Sequence, residues 1–234
     1  DGPMHGTDGG LDMASLPLDK LIHPGAIVDV SDVVSDWDLI EPEHLTRNVE
    51  IKKGDILIIH TGFIDYYQGM PKQDLVRYFT MHPGGSVRLA RWMAEMEIRW
   101  WGIDAGSGDP PMNTTIRNMR PDLLKKFEEH VGMTYTEFFG GEYEYTHHLS
   151  GREIKSDIFP MHHLAFQDGC IHAENVGGEE LEGSGAVRAR FRLAGLPGVL
   201  LGRHHLAEGA RRALGEKDRI VAEAALAAMD TPKG

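Results

Sequence analysis

The chain has 234 residues, of which 41% are hydrophobic, and its formal net charge is −12. This length and apolar content suffice for one large domain with its own core, while the acidity argues against a basic face that binds nucleic acid. The single cysteine, Cys170, excludes an intrachain disulfide and is compatible with a reducing cytosol. The longest apolar runs are far shorter than the roughly 20 residues that span a bilayer. The sequence therefore predicts a cytoplasmic protein that has no membrane partner.

Strands and helices are predicted to alternate in the first half of the chain. The β-branched run 26–30 and the continuous apolar run 56–61 predict strands, the second of them fully buried. Ser86 is placed to cap a helix whose apolar positions share one broad face. The run 98–104 predicts another strand. This order of strand, helix and strand is typical of an α/β fold.

The second half of the chain has a different character. Residues 110–160 hold polar helical material and an aromatic-rich stretch at 138–145, which we interpret as an insertion or an oligomer contact. From about residue 186, arginines crowd among alanine, glycine and leucine, and the sequence reads less like a closing sheet strand than we expect at this point. We therefore predict a single domain over 1–185 and an atypical tail over 186–234.

The first candidate metal-binding group opens the chain as Asp1-x-Pro3-x-His5. A carboxylate oxygen and an imidazole nitrogen are both ligands that divalent metals accept. Pro3 restricts the backbone before it, which fixes how the two side chains project. The alternative is a chance Asp and His at a frayed terminus.

The second candidate group lies far downstream. A helix is predicted to begin near His162, and a short strand over 170–173 would carry Glu174 back beside it. Imidazole and carboxylate together can complete the shell of a divalent ion. Spacing alone leaves the alternative of a polar helix start and a surface glutamate open. We interpret His163 as a packing or supporting histidine and His172 as an ordinary strand side chain.

Other motifs are weaker. The glycines of Gly106-x-Gly108 lack the third glycine of a dinucleotide fingerprint and the Lys-Ser/Thr pair of a P-loop. Ser107 misses the nucleophile-elbow pattern by one position. Cys170 could act as a nucleophile, but its apolar neighbours favour an inert core cysteine.

Together these pieces resemble the cyclase-like metal hydrolase family, which includes bacterial kynurenine formamidase and isatin hydrolase. The family signature is His-x-Gly-Thr-His-x-Asp-x-Pro-x-His, and the chain carries its last part, Asp1-x-Pro3-x-His5. The later block, in which His162 is followed twelve residues on by Glu174-Asn175, matches the distal ligand pair of the family. Further blocks that resemble the family lie at 16–21, 26–31, 53–57, 60–63, 83–86 and 102–104.

The resemblance implies a single-domain α/β protein with the swivelling β/β/α fold, assembled as a homodimer or homotetramer. It implies a divalent metal, Zn or Mn, bound by Asp1, His162 and Glu174. His5 would act beside the metal as a proton shuttle or general base. The reaction would be hydrolysis of an amide-like C–N bond, in a small aryl formamide or cyclic amide, by metal-activated water.

Phe63 and Trp101 are candidates for stacking on an aryl ring of the substrate, although a place in the core is the better interpretation for each.

Two departures from the family lead to alternatives. The His-x-Gly-Thr-His half of the signature is absent from the sequence, so we interpret the chain as N-terminally truncated and expect weak metal binding or none. The atypical tail suggests an altered reading frame. The alternatives are a hydrolase of lactones or other cyclic substrates on the same scaffold, and a metal-free, inactive scaffold protein.

Overall fold

The computed structural model describes residues 21–147, 150–165, 170–176 and 187–192, the last of these as backbone only. No helix within these ranges is long and apolar enough to cross a membrane. The elements follow one another as β1 (Ile22–Asp29), β2 (Leu39–Ile40), α1 (Pro42–Thr46), β3 (Ile56–His60), α2 (Leu75–Thr80), β4 (Gly84–Gly85), α3 (Val87–Glu95), β5 (Trp100–Ile103), α4 (Ile116–Met119), α5 (Pro121–Val131), α6 (Tyr135–Phe139), β6 (Tyr143–Thr146), β7 (Glu153–Ser156), α7 (Pro160–Leu164), β8 (Ile171–Ala173) and β9 (Val187–Arg192). Short 3-10 turns cover Phe63–Tyr66 and Pro111–Asn113.

A five-stranded sheet with the order β8-β5-β3-β1-β9 organises the fold. Strands β8, β5, β3 and β1 are parallel, and β9 runs antiparallel to β1 at the edge. Every residue of β3 is buried, as its continuous apolar run predicts for a central strand covered on both faces. This parallel sheet with helices confirms the predicted α/β fold class.

Helix α3 shows how local sequence fixes packing on the sheet. The Ser86 hydroxyl accepts a hydrogen bond from the Leu89 amide at 3.0 Å, which satisfies one of the free N–H groups of the first turn. Leu89, Ala90 and Met93 are buried on the face that this cap aims at the sheet. They join the main core, where Leu57 is among the strand side chains on the same face. The opposite face of the sheet carries a smaller apolar cluster.

Helices α5 and α6 contribute a separate apolar cluster around Phe127. The Phe127 ring stacks on Phe139 with centroids 5.5 Å apart and meets Trp37 edge-on at 6.0 Å. Part of the aromatic-rich stretch therefore packs within the molecule. Whether residues 110–160 also form an insertion or an oligomer contact stays a prediction.

Residues 187–192, at the start of the predicted tail, form a strand of the sheet. The expectation that the tail is unlike a closing sheet strand was therefore wrong for these residues. Strand β9 pairs with β1 from Ile22 opposite Arg192 to Ile27 opposite Val187. Its sequence, Val-Arg-Ala-Arg-Phe-Arg, alternates apolar and basic residues with the period of two that a strand requires. The high arginine content concealed this signal. Residue 186 and residues 193–234 of the predicted tail lie outside the described residues.

Candidate metal centre

The site lies at the carboxyl ends of the parallel strands. Glu174 directly follows β8, and Asp104 directly follows the neighbouring strand β5. Because parallel strands end at the same edge of a sheet, this edge collects the side chains that follow each strand, and it is where α/β proteins commonly bind ligands.

His162, His172 and Glu174 converge at this edge. The Glu174 Oε1 atom lies 3.4 Å from Nε2 of His172 and 3.8 Å from Nε2 of His162. One nitrogen or oxygen from each of the three side chains lies within 4.8 Å of the other two. All three side chains are partly buried, with exposed fractions of 21% for His162, 12% for His172 and 24% for Glu174.

These donors fit a divalent ion. Two imidazole nitrogens and a carboxylate oxygen form a common three-ligand set for such ions. Ligand atoms about 2.1 Å from a tetrahedrally coordinated ion lie about 3.4 Å from one another. The observed distances to Glu174 match this spacing within a few tenths of an ångström, and all three donor atoms lie within 4.8 Å of one another.

The backbone that follows Glu174 is held by hydrogen bonds to the neighbouring strand β5 and the residues after it. The Asn175 amide donates to the Ala105 carbonyl at 3.0 Å, and the Val176 amide donates to the Ile103 carbonyl at 2.9 Å. The buried Tyr78 hydroxyl donates to the Asn175 side chain at 2.7 Å. Asn175 adopts a left-handed conformation with φ of 58°, which asparagine tolerates better than most residues. These contacts set the direction in which the Glu174 carboxylate projects.

His172 is held in a form suited to metal binding. Its ring stacks on the fully buried Trp101 with centroids 5.4 Å apart and an interplanar angle of 26°. Burial lowers the pKa of His172 below its ordinary value of 6.5, although the Glu174 carboxylate opposes this shift. The neutral imidazole is therefore favoured, and it is this form that binds a metal.

His162 sits in the short helix α7 and contacts a buried carboxylate. Its Nδ1 atom lies 2.5 Å from Oδ2 of Asp109, whose side chain is completely buried. The other Asp109 oxygen accepts a hydrogen bond from the Met161 amide at 2.7 Å. Asp109 thus contacts both the ring of His162 and the backbone that precedes it.

A cavity of about 210 Å³ adjoins this site. Asp109 and Phe159 are part of its wall, and the Phe159 ring meets the His162 ring edge-on at 5.9 Å. The remaining wall is mostly apolar and includes Phe79, Ile116 and Met119. A small molecule with an apolar or aryl part could occupy this space.

Two of the predicted metal ligands are brought together, and two predicted residues are not described. His162 and Glu174 lie side by side in the cluster, whereas Asp1 and His5 lie outside the described residues. His172 was missed as a member of the cluster. Alternate residues of a strand share one face, so its position two residues before Glu174 was a signal that could have identified it.

The remaining candidates lie at supporting positions. The Nδ1 atom of His163 lies 2.7 Å from the Tyr143 hydroxyl, and its ring stacks on Tyr145 at 4.3 Å, as expected for a packing histidine. Phe63 and Trp101 are core side chains, with 4% and 0% exposed. Cys170 is partly buried against the main core.

A second buried carboxylate at this edge, Asp104, was not singled out as a site residue from the sequence. Its Oδ1 atom accepts from the Thr61 amide at 2.7 Å and the Thr61 hydroxyl at 2.5 Å, and its Oδ2 atom accepts from the Gly62 amide at 2.8 Å. Nδ1 of His60 lies 2.9 Å from Oδ2, close enough for the two groups to attract each other electrostatically. Burial lowers the pKa of His60, but the surrounding carboxylates, Asp104 foremost, together outweigh burial, so the pKa is raised overall.

Comparison with known proteins supports the predicted class. The structure is that of an α/β protein with a candidate metal centre. Residues 1–110 match the model of the Cyclase family, which is described as a putative cyclase. Over residues 1–110, the predicted resemblance to the cyclase-like family is therefore confirmed. No curated protein gives a significant match.

Several solved structures are similar to parts of the chain. A potential metal-dependent hydrolase with cyclase activity is 21% identical, with 54% of this chain and 55% of that chain covered and a TM-score of 0.36. An isatin hydrolase bound to the product analogue thioisatinate is 19% identical over 54% and 53% of the two chains, with a TM-score of 0.40. Isatin hydrolase A from Labrenzia aggregata, bound to benzyl benzoate, is 20% identical over 48% of each chain, with a TM-score of 0.38. The chain thus spans about half the length of these structures.

Proposed function

We propose that this protein is a metal-dependent hydrolase of the cyclase type. The observation that carries the proposal is the convergence of His162, His172 and Glu174 at the carboxyl edge of the parallel sheet, with donor types and distances that suit a divalent ion. The match of residues 1–110 to the Cyclase family supports the same class. Zn²⁺ and Mn²⁺ are the ions we propose.

The chain's own residues would hold and shield the ion. His162, His172 and Glu174 supply ligands, and the stack of Trp101 on His172 fixes the plane of one imidazole. A bound divalent ion lowers the pKa of a coordinated water toward about 7 and polarises a carbonyl oxygen. From the family resemblance, we propose that Asp1 is a further ligand and that His5 carries the proton.

The proposed substrate is a small molecule with an amide-like C–N bond, either an aryl formamide or a cyclic amide. This substrate class follows from the resemblance to kynurenine formamidase and isatin hydrolase. The apolar cavity wall beside His162 supports it, because Phe79, Ile116 and Phe159 can cover an aryl ring. From the same resemblance we propose that the protein is a homodimer or homotetramer.

Metal-induced stabilisation tests the centre, and hydrolysis tests the activity. Zn²⁺ or Mn²⁺ at 100 times its Kd should stabilise the native state by about 2.7 kcal/mol and raise its thermal midpoint. Glu174→Ala should abolish this rise, because it removes the one carboxylate of the cluster. Glu95→Ala, which changes an exposed glutamate on helix α3, is the matched control and should keep it.

Hydrolysis of N-formylkynurenine and of isatin should be measured on the same samples. Turnover that requires the metal and is lost in Glu174→Ala would support the proposal. If neither metal stabilises the protein and neither substrate is hydrolysed, the metal-dependent hydrolase is refuted, and the inactive scaffold becomes the better interpretation.

A further inference from the structure

We infer that Asp109 is a positioning residue of the metal centre, which orients His162 and fixes the ring tautomer in which Nδ1 carries the proton and Nε2 carries the lone pair that can bind the ion. This inference rests on the proposed function, since it concerns how one ligand of the proposed centre is made ready. In this role Asp109 acts on the ion only through the His162 ring, with which its side chain is in contact.

The geometry gives each oxygen of Asp109 a separate partner. Oδ2 lies 2.5 Å from Nδ1 of His162, and Oδ1 accepts from the Met161 amide at 2.7 Å. The Asp109 side chain is completely buried, so water does not compete for these contacts. One rigid carboxylate therefore fixes the backbone at Met161 and the imidazole of the next residue.

The chemistry of the contact determines which ring nitrogen carries the proton. An ionised carboxylate only accepts hydrogen bonds, so Nδ1 of a neutral His162 must be the protonated nitrogen. Nε2, the nitrogen 3.8 Å from Glu174, then keeps its lone pair and faces the other ligands. Carboxylates placed in this way behind a metal-binding histidine orient the ring and raise its basicity.

Asp109→Asn separates this role from a purely structural one. Asparagine has almost the same shape and keeps one oxygen, which can still accept from the Met161 amide. Its NH₂ group then faces Nδ1 of His162 and donates, so Nδ1 must accept and the proton moves to Nε2. The fold is retained, but the nitrogen that should bind the ion is protonated.

The test is Co²⁺ binding to the full chain, followed by the visible absorption of the bound ion and by calorimetry. Asp109→Asn should weaken Co²⁺ binding about 10–100-fold and change the ligand-field spectrum. The matched control is Asp55→Asn. Asp55 is also a buried carboxylate that accepts a backbone hydrogen bond, from the Lys52 amide at 2.7 Å, but it lies at the end of β3 opposite to the site. It should leave both the affinity and the spectrum unchanged.

Two outcomes overturn the inference. Wild-type affinity and spectrum in folded Asp109→Asn would leave Asp109 a structural role only. If the wild-type protein does not bind Co²⁺, the proposed centre and this inference both fail. If the wild-type protein binds Co²⁺ and Asp109→Asn binds it equally well, only the inference fails.

A measurement on the unmutated protein keeps the inference testable if the variant does not fold. Long-range ¹H–¹⁵N NMR of the metal-free protein, with the His162 signals assigned by their loss in His162→Gln, reports the tautomer of the ring. The Nδ1–H form is expected. A neutral His162 ring in the Nε2–H form would contradict the inference.

Discussion

The Asp104 network offers a stability prediction whose magnitude follows from its hydrogen bonds. In Asp104→Asn, the retained oxygen can still serve Thr61, but the NH₂ group takes the place of the oxygen that accepts from Gly62 at 2.8 Å. Leaving the partly buried Gly62 N–H without this acceptor costs about 1–3 kcal/mol. The remaining bonds to Thr61 also lose charge assistance, which adds about 1 kcal/mol. We expect a total loss of about 2–4 kcal/mol in the free energy of unfolding.

Urea unfolding followed by tryptophan fluorescence measures this loss. With a slope of about 2 kcal/mol per molar urea, the midpoint should fall by about 1–2 M. Asp38→Asn is the control, because both hydrogen bonds that the Asp38 side chain accepts, from the amide and hydroxyl of Ser35, go to a single oxygen that asparagine can retain. It should cost less than about 0.5 kcal/mol. Equal midpoints for the two variants would refute the assignment of a stabilising role to the second oxygen of Asp104.

Three further predictions follow from particular contacts. Burial raises the pKa of Tyr78 and of Tyr143 above the ordinary value of 10. The folded state therefore keeps these phenols protonated, and its stability is complete below pH 10 and falls as the pH rises further. Thermal midpoints should fall above pH 10, and should fall less steeply in Tyr78→Phe. Ser86→Ala should lower the free energy of unfolding by at least about 1 kcal/mol, because the helix cap and the hydrogen bond that the hydroxyl donates to Glu41 are both lost. Ser86→Thr keeps a hydroxyl that can make both bonds and should retain most of the stability; an equal loss in both variants would argue against the role of the hydroxyl. A Cβ at Gly108 would lie 2.1 Å from the Trp101 ring, so Gly108→Ala should lower the free energy of unfolding by about 1–3 kcal/mol. It should also weaken metal binding, because a displaced Trp101 ring no longer stacks correctly on His172. Unchanged metal affinity would argue against this coupling.

Elements with a strong local pattern were predictable from the sequence. Strand β3 shows a continuous apolar run, and helix α3 begins at a serine cap followed by one apolar face. In both cases the signal lies within a few residues and the surrounding structure agrees with it. Strand β9 also had a local pattern, the alternation of apolar and basic residues. Its high arginine content led to the wrong interpretation of this segment.

The site was only partly predictable, because its support comes from distant parts of the chain. The spacing from His162 to Glu174 indicated the ligand pair, since a helix and a strand joined by a short loop can bring them together. The contact between Asp109 and His162 joins residues 53 positions apart, and that between Asp104 and Thr61 joins residues 43 positions apart. No local period or cap reports such pairs. They depend on which strands lie side by side in the sheet.

The pairing of the first and last strands of the sheet has a consequence for biosynthesis. Strand β1 is among the first segments described, yet the neighbour on its outer edge, β9, is made only when the chain reaches Arg192. At about 5–20 residues per second, a ribosome needs roughly 10–30 s to add the residues between them. During this interval the outer edge of β1 has no β9 to pair with, and open strand edges favour association with other chains. We therefore expect nascent chains to depend on chaperones most strongly just before β9 emerges.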